Sequence, residues 1–457
     1  MRYLLNLIYL LVLLVAAPWL IYQGVRKGKY RAGFAEKVLG RVPIRSGNGP
    51  CIWLHAVSVG EVNLLAPLVA QFQARNAGCE LVISTTTAAG YAIARQKYVA
   101  ITVFYAPLDF SWAVAAAMRR VRPSLLVLAE LELWPNLIQA AKTHGAKVAI
   151  INGRLSANSF RGYSRLRWLV ARVLRQVDCI AVQNDEYGQR FLQLGTPPQN
   201  LHVTGSIKFD GAKSDRNNPA TVRLRELAGI QPDDVVFLVG STQEPEEQFA
   251  IEAFRTLSDS FPQLRLILVP RHPHRFEEVA QLLDGSGISW QRRSLLTNDT
   301  AGQGKAVAPR RVLLVDTVGE LGAWWGTATI GFVGGSLSTR GGQNMIEPAA
   351  YAVATCFGPN TQNFRDVVAM LLSSDGARVV HDQAEMTGFV ERCLSDPVAA
   401  AEMGHRAAAV VQSQQGATER TFGLLVSLLT PGAPGDGVLG QGVPDPHLRH
   451  AAKIARL

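Results

Sequence analysis

The sequence predicts two doubly wound α/β domains behind an N-terminal membrane-anchor helix. Three observations carry this prediction. Short apolar runs alternate with helical stretches from Ile52 onward. Such runs suit parallel strands buried on both faces, and the alternation suits strand–helix–strand crossovers. A chain of 457 residues is long for one core and suits two domains of ordinary size. The chain also opens on about 20 residues of nearly unbroken apolar character, the length a helix needs to cross a bilayer.

In that opening run, Tyr3 to Tyr22, Asn6 is the one strongly polar residue. A signal peptide is the rival reading, since Arg2 precedes the run and Val15 to Ala17 resembles a small-residue cleavage site. Pro18 would then follow the cut, and Trp19, Leu20 and Ile21 continue the apolar run. Residues 1–24 are therefore read as an uncleaved anchor. Up to residue 45 the chain holds Arg2, Arg26, Lys27, Lys29, Arg31, Lys37, Arg41 and Arg45 against Glu36 alone. By the positive-inside rule this cluster puts the rest of the chain on the cytoplasmic side. It also accounts for +7 of the formal net charge of +10. The remainder is close to neutral, which argues against a broad nucleic-acid-binding face.

In the expected N-terminal domain, residues 25–210, the strand candidates are 51–57, 81–84, 102–105, 125–129, 147–152 and 179–182. Residues 211–232 carry Gly211, Asp215, Asn217, Asn218 and Pro219 and are expected as a linker. The C-terminal domain, 233–430, restarts with a strand at 235–239 and a helix over 246–257. Strands at 264–269, 311–315, 329–333 and 354–356 follow. Residues 431–457, rich in Gly and Pro, are expected to be disordered. Cys51, Cys79, Cys179, Cys356 and Cys393 lack metal or redox spacing and read as reduced, packed thiols. The nine histidines form no HExxH motif, and no metal is expected.

In open α/β sheets, ligands bind beyond the carboxyl ends of strands, and the polar groups of this chain gather there. Most informative is FVGGSLSTRGGQNMIEP, residues 332–348. An apolar strand runs into Gly334, Gly335 and Ser336. After Gly341 and Gly342 come Asn344 and Glu347 at the start of a helix. Glycines let a backbone approach a phosphate or sugar closely, and a helix N-terminus offers N–H groups to an anion. A carboxylate there can accept two ribose hydroxyls. The pattern equally fits a plain capping box from Asn344 to Glu347.

Gly60 and Glu61 open a helix after the first strand. A carboxylate there can take a proton from a hydroxyl, or simply complement the helix dipole. Glu130 and Glu132 follow the 125–129 strand and point the same way on extended backbone. Two such carboxylates repel unless a cation or a shared proton intervenes. Capping of the next helix is the alternative. Asp109, in a Pro-Leu-Asp turn, reads as structural. Residues 154–175 hold six arginines and no acid. As one helix they place Arg161, Arg165, Arg172 and Arg175 on a face beside Trp168, with Leu166, Leu169, Val170 and Val173 opposite. That face suits an anionic membrane surface or a phosphorylated lipid, or plain solvation. Lys208 and Arg271 lie at domain edges, where cations can neutralise a phosphate leaving group.

Together these motifs resemble the Kdo (3-deoxy-D-manno-octulosonic acid) transferases of Gram-negative bacteria, over roughly residues 1–430. The resemblance rests on HAVSVGE (55–61), ELELWPN (130–136), NGRLS (152–156), TGSIKFD (204–210), VPRHPHRF (269–276), DTVGEL (316–321) and FVGGS followed by GGQNMIEPA (332–349). Each is weak alone; in this order they are specific. The resemblance implies a GT-B fold, two Rossmann-like domains facing a cleft, with the donor mainly on the C-terminal one. It implies inverting transfer of Kdo from CMP-Kdo to a tetraacylated lipid A precursor in lipopolysaccharide inner-core synthesis, without a cofactor. The site is the cytoplasmic face of the inner membrane.

Carried over, the resemblance makes Glu61 the general base, with Glu130 and Lys208 supporting the transition state. Pro270, Arg271, Val318, Gly319, Glu320, Asn344, Met345, Ile346 and Glu347 would contact CMP, with Gly334, Gly335 and Ser336 beside them. Ser58, Gly60, Arg154, Arg161, Arg165 and Arg172 would face the acceptor or the anionic membrane. Gln343 stands where the family commonly has a histidine, Met345-Ile346 replaces Pro-Leu, and Gln243-Glu244-Pro245 replaces His-Glu-Gly. These departures spare Glu61, Lys208, Arg271 and Glu347. Other readings are a different GT-B enzyme, such as a UDP-sugar transferase or epimerase, and a non-catalytic protein that binds anionic lipid.

Overall fold

The computed structural model describes residues 2–27, 32–75, 78–296 and 311–429. The tail expected to be disordered lies outside these residues. The chain forms two compact units. The first comprises residues up to Asn63, Gln71–His202 and the described residues from Glu419; the second comprises Leu64–Ala70 and Val203–Thr418.

The first unit is built on seven strands: β1 (Cys51–His55), β2 (Glu80–Thr85), β3 (Thr102–Tyr105), β4 (Leu125–Ala129), β5 (Lys147–Gly153), β6 (Cys179–Val182) and β7 (Leu201–Val203). They lie in the order β3-β2-β1-β4-β5-β6-β7. β1 pairs in parallel with both β2 and β4. The first six positions, from the edge strand β3 to β6, repeat the Rossmann order, with its reversal between β1 and β4. Every residue of β1 and of β4 is buried, as continuous apolar runs require when helices cover both faces. Trp53, Leu126, Leu128, Ile150 and Phe191 form the heart of one core. Each such side chain contributes about 1.5–3 kcal/mol on burial.

The second unit repeats the plan. Its strands are β8 (Val235–Thr242), β9 (Leu264–Pro270), β10 (Trp290–Arg292), β11 (Val312–Leu314), β12 (Ile330–Val333), β13 (Ala354–Phe357) and β14 (Ala377–Val379). The order is β10-β11-β9-β8-β12-β13-β14, and the paired strands are parallel. Here the reversal lies between β8 and β12. Cores pack around Trp324, Trp325 and Phe357, and around Phe237, Phe254 and Phe332.

Residues 211–232, expected as a linker, carry a helix, Pro219–Leu227, capped by the Asn218 side chain on the Thr221 N–H. Arg216 ties this segment to the second unit through the carbonyls of Tyr351, Gly326 and Ala328. All five cysteines are free; Cys79 is half-buried and the others are buried.

Two expectations are corrected. The arginine-rich stretch is not one helix: it breaks at Arg165–Leu166 into Ala157–Ser164 and Arg167–Leu174. The break rotates the second half, so Leu166 is exposed with Trp168 while Val170 and Val173 are buried. The membrane-spanning anchor is also not found. Among the described residues no helix is long and apolar enough to cross a membrane. The N-terminal helix, Arg2–Lys27, is bonded sideways to the first unit. Asn6 is buried and exchanges hydrogen bonds with Ser111, accepting from its N–H at 3.0 Å and donating to its hydroxyl at 2.6 Å. The Tyr9 hydroxyl donates to Asp109 at 3.1 Å. A helix held this way does not have lipid on all sides.

Candidate active site

At the reversal of the first sheet, the connections after β1 and β4 run to opposite faces and leave a crevice at the strand ends. The loop after β1 carries Val57, Ser58 and Glu61. The Glu61 carboxylate accepts from the Val57 N–H at 2.7 Å and from the Ser58 hydroxyl at 2.9 Å. The Ser58 oxygen in turn accepts from the Glu61 N–H at 3.3 Å. This reciprocal cap fixes the carboxylate at the start of helix Val59–Leu64 while leaving it half-buried. His55, at the end of β1, is fully enclosed against the Ser84 hydroxyl at 2.9 Å. Burial pushes its pKa down to about 4, so it is a neutral core group.

The loop after β4 brings two more carboxyls. Glu130 adopts φ 56° and donates its N–H to Ile151 at 2.9 Å. A left-handed glutamate is uncommon; here it turns the chain sharply out of the strand. The Glu132 carboxylate accepts from the Trp134 indole at 2.8 Å. Burial, then the charge of Glu61, pushes its pKa up to about 7. The repulsion expected between neighbouring carboxylates adds to this rise, and the charge that contributes most is that of Glu61 rather than Glu130. Asp109 is structural, as expected. It accepts from the N–H groups of Asn136 and Leu137 at the start of helix Pro135–Thr143.

In the second unit the loops after β8, β9, β11 and β12 hold the selected residues. Arg271 is exposed, with its N–H on the Thr242 carbonyl at 3.1 Å. Burial raises the Glu347 carboxyl, a rise that the Asn344 hydrogen bond and the Arg271 charge partly offset. Asn344 donates to Glu347 at 3.0 Å and accepts from the Ile346 N–H at 3.1 Å. The expected capping box does not form: Met345 precedes the helix Ile346–Ala350 without a side-chain cap, and the Asn344 amide instead orients the Glu347 carboxylate directly. Lys208 is half-buried on a short turn, Ile207–Phe209, and falls in the second unit.

A family model for 3-deoxy-D-manno-octulosonic-acid transferase (kdotransferase) matches residues 28–211. The chain is 32% identical over 428 residues to the 3-deoxy-D-manno-octulosonic acid transferase of Haemophilus influenzae, covering 91% of this chain and 97% of that one. It is likewise 32% identical over 433 residues to that of Bordetella pertussis, covering 92% and 98%. The chain belongs to the Kdo transferase family. It is a glycosyltransferase of Kdo in lipopolysaccharide synthesis. A solved UDP-GlcNAc 2-epimerase of Neisseria meningitidis, bound to UDP-GlcNAc, matches 82% of this chain and 100% of its own with a TM-score of 0.56 at 12% identity. That likeness concerns the fold alone, and it fits two parallel-sheet domains of the GT-B kind.

In this Kdo transferase, Ser58, Gly60 and Glu61 follow the carboxyl end of β1, Glu130 that of β4 and Arg154 that of β5. Arg161 and Arg172 are exposed on the helices Ala157–Ser164 and Arg167–Leu174, and Arg165 is exposed at the break between them. On the second unit the side chains of Met345 and Ile346 enter the core, so these two residues can offer a ligand only backbone. The Glu320 carboxylate is taken up by Arg293, at 2.8 and 3.0 Å, and by Thr317 at 2.7 Å. Val318 and Gly319 are exposed beside it. Sequence reasoning missed Arg293 and Glu246. Arg293 gave no signal, standing next to an edge strand. Glu246 stood one residue past the Gln243–Pro245 departure and showed as an acidic pair with Glu247 in the first turn of a helix.

Proposed function

We propose that the chain transfers Kdo from CMP-Kdo to a tetraacylated lipid A precursor, with inversion, at the cytoplasmic face of the inner membrane. The observation that carries this reading is the Glu61 carboxylate, held by the Val57 N–H and the Ser58 hydroxyl just past the first strand of a Kdo transferase. An ordinary glutamate, pKa about 4.3, is ionised at neutral pH and can accept a proton. A sugar hydroxyl of the acceptor attacks the anomeric carbon of Kdo, and the carbon–oxygen bond to CMP breaks. The hydroxyl proton goes to Glu61, and the bonding pair leaves with the phosphate of CMP. Attack from the face opposite CMP inverts the configuration without a covalent intermediate. Lys208 and Arg271 neutralise the departing phosphate, Glu130 supports the transition state, and Glu347 accepts ribose hydroxyls. Phosphate is a good leaving group, so the second unit needs charge rather than an acid.

The membrane part of the reading is supported by the N-terminal helix. Its Leu7, Leu11, Leu14 and Val15 are exposed on the side away from Asn6 and Tyr9, with Leu10 and Trp19 exposed on the flanks. We read this helix as lying on the bilayer surface, where an amphipathic helix buries one face among acyl chains. Arg161, Arg165 and Arg172 add positive charge for anionic headgroups.

The test is mass spectrometry of the product formed from CMP-Kdo and a tetraacylated lipid A precursor. Addition of Kdo by the wild type, and at least about 10²-fold slower addition by Glu61→Gln, is expected. Turnover of UDP-sugars in place of CMP-Kdo would favour the epimerase-like alternative and sink this reading.

A further inference from the structure

At the reversal of the second sheet, the crevice between the loops after β8 and β12 is filled from within. Glu246 and Glu247 open helix Glu246–Leu257, and both are fully buried. The Glu246 carboxylate accepts four backbone hydrogen bonds. One oxygen takes the N–H of Gln243 at 2.9 Å and of Gly335 at 2.8 Å. The other takes the N–H of Ser336 and of Leu337, both at 3.0 Å. The glycine-rich turn that the sequence offers to a phosphate has thus spent three successive N–H groups on the protein's own anion.

The turn is closed on its other side as well. A Cβ at Gly334 would lie 2.5 Å from the Ser241 carbonyl oxygen, so the two loops meet backbone to backbone. The Gly335 carbonyl accepts from the Gly342 N–H at 2.8 Å, and the Ser336 carbonyl from the Asn360 N–H at 2.9 Å. Gly342 stands two residues before Asn344 and five before Glu347. Through Gly335 and Gly342, the carboxylate of Glu246 is therefore linked to the residues that orient Glu347.

We propose that Glu246 is a positioning residue of the donor site: an internal anion that locks the Gly334–Leu337 turn and through it sets Asn344 and Glu347. The corollary is that this turn holds no donor phosphate, which falls to cationic side chains. A glutamine cannot replace Glu246, because its NH2 would face two N–H donors. Burial raises the Glu246 carboxyl, while its four N–H partners pull it back down. The inference rests on the reading of the second unit as the site for CMP.

The test is calorimetric titration of the full chain with CMP and with cytidine. Glu246→Gln should weaken both by the same factor, about tenfold or more. In Glu246→Ala, formate should restore CMP affinity and melting temperature together, whereas chloride should not. Should Glu246→Gln fail to fold, Glu246→Ala folded in formate answers the same question as formate is dialysed away. Wild-type CMP affinity in Glu246→Gln overturns the proposal. So does a loss confined to CMP, which would make the turn a phosphate site. So does formate that raises the melting temperature and leaves CMP affinity low, which would make Glu246 merely structural. A wild-type chain that binds no CMP instead overturns the donor reading.

Discussion

The two sheets reverse their strand order in the same way, yet the two crevices are furnished differently. At the first reversal, Glu61, Glu130 and Glu132 are half-buried and crowd one another, and one of them titrates near neutral pH. In the second unit three carboxylates have specific partners. Glu246 has four N–H donors, Glu320 has Arg293, and Glu347 has Asn344. Carboxylates crowded by one another's charge suit proton transfer, since such crowding moves a carboxyl toward the working pH. Matched ones suit rigid recognition. Similar topology therefore serves chemistry in one unit and binding in the other, according to what faces each carboxylate.

That contrast can be broken by four measurements. The largest effect is expected at Glu61, where Glu61→Gln should lower the rate of Kdo transfer by about 10²–10⁴-fold. Its melting temperature should stay near that of the wild type, because the amide oxygen still accepts from Val57 or Ser58. A matched carboxylate should behave in the opposite way. Arg293→Ala leaves Glu320 with Thr317 and Trp324 and should cost about 2 kcal/mol in urea unfolding. A stability unchanged by that substitution would show that the second unit does not depend on such pairing.

The third measurement concerns pH. The folded pKa of Glu132 is raised from 4.5 to about 7, so its contribution to stability is fully present below about pH 4.5 and lost as pH rises through 7. Glu132→Gln should therefore melt like the wild type in acid. It should pull ahead by about 2–4 °C for each kcal/mol of relief as pH climbs to neutrality. Parallel pH curves for the two chains would mean that Glu132 carries no strained charge. The smallest effect is expected at the N-terminal helix, where Tyr9→Phe removes one hydrogen bond to Asp109 and should cost about 1 kcal/mol. Thermal unfolding would register this as a slight loss.

Much of this architecture is legible in the sequence, and the exceptions follow a rule. The strands read correctly are those whose residues are buried on both faces, such as β4 and β8. The strands missed are β7, β10 and β14, and all three are three-residue edge strands. An edge strand is half-exposed and short, so it leaves no continuous apolar run to read. The site follows the same logic. Glu61 and Glu347 were visible because each begins a helix after a strand. Other pairings were not visible, because Glu246 with residues 335–337 and Glu320 with Arg293 span tens of residues. The split of the arginine-rich stretch was invisible for a related reason: nothing local marks Arg165–Leu166 as a break.

Asp109 has a practical consequence. One oxygen of its carboxylate takes both the Tyr9 hydroxyl and the Asn136 N–H, so the N-terminal helix and the helix following the ELELWPN turn share a single fastening. Burial already raises this carboxyl to about pKa 6. Cutting the chain after Lys27 removes Tyr9 and the Asn6 bonds to Ser111, and uncovers the fastening to water. The segment most readily trimmed to ease handling is thus part of the mount on which Glu130 and Glu132 are aimed. A trimmed form should be assayed as a variant in its own right, with its own pH profile, rather than as a stand-in for the whole enzyme.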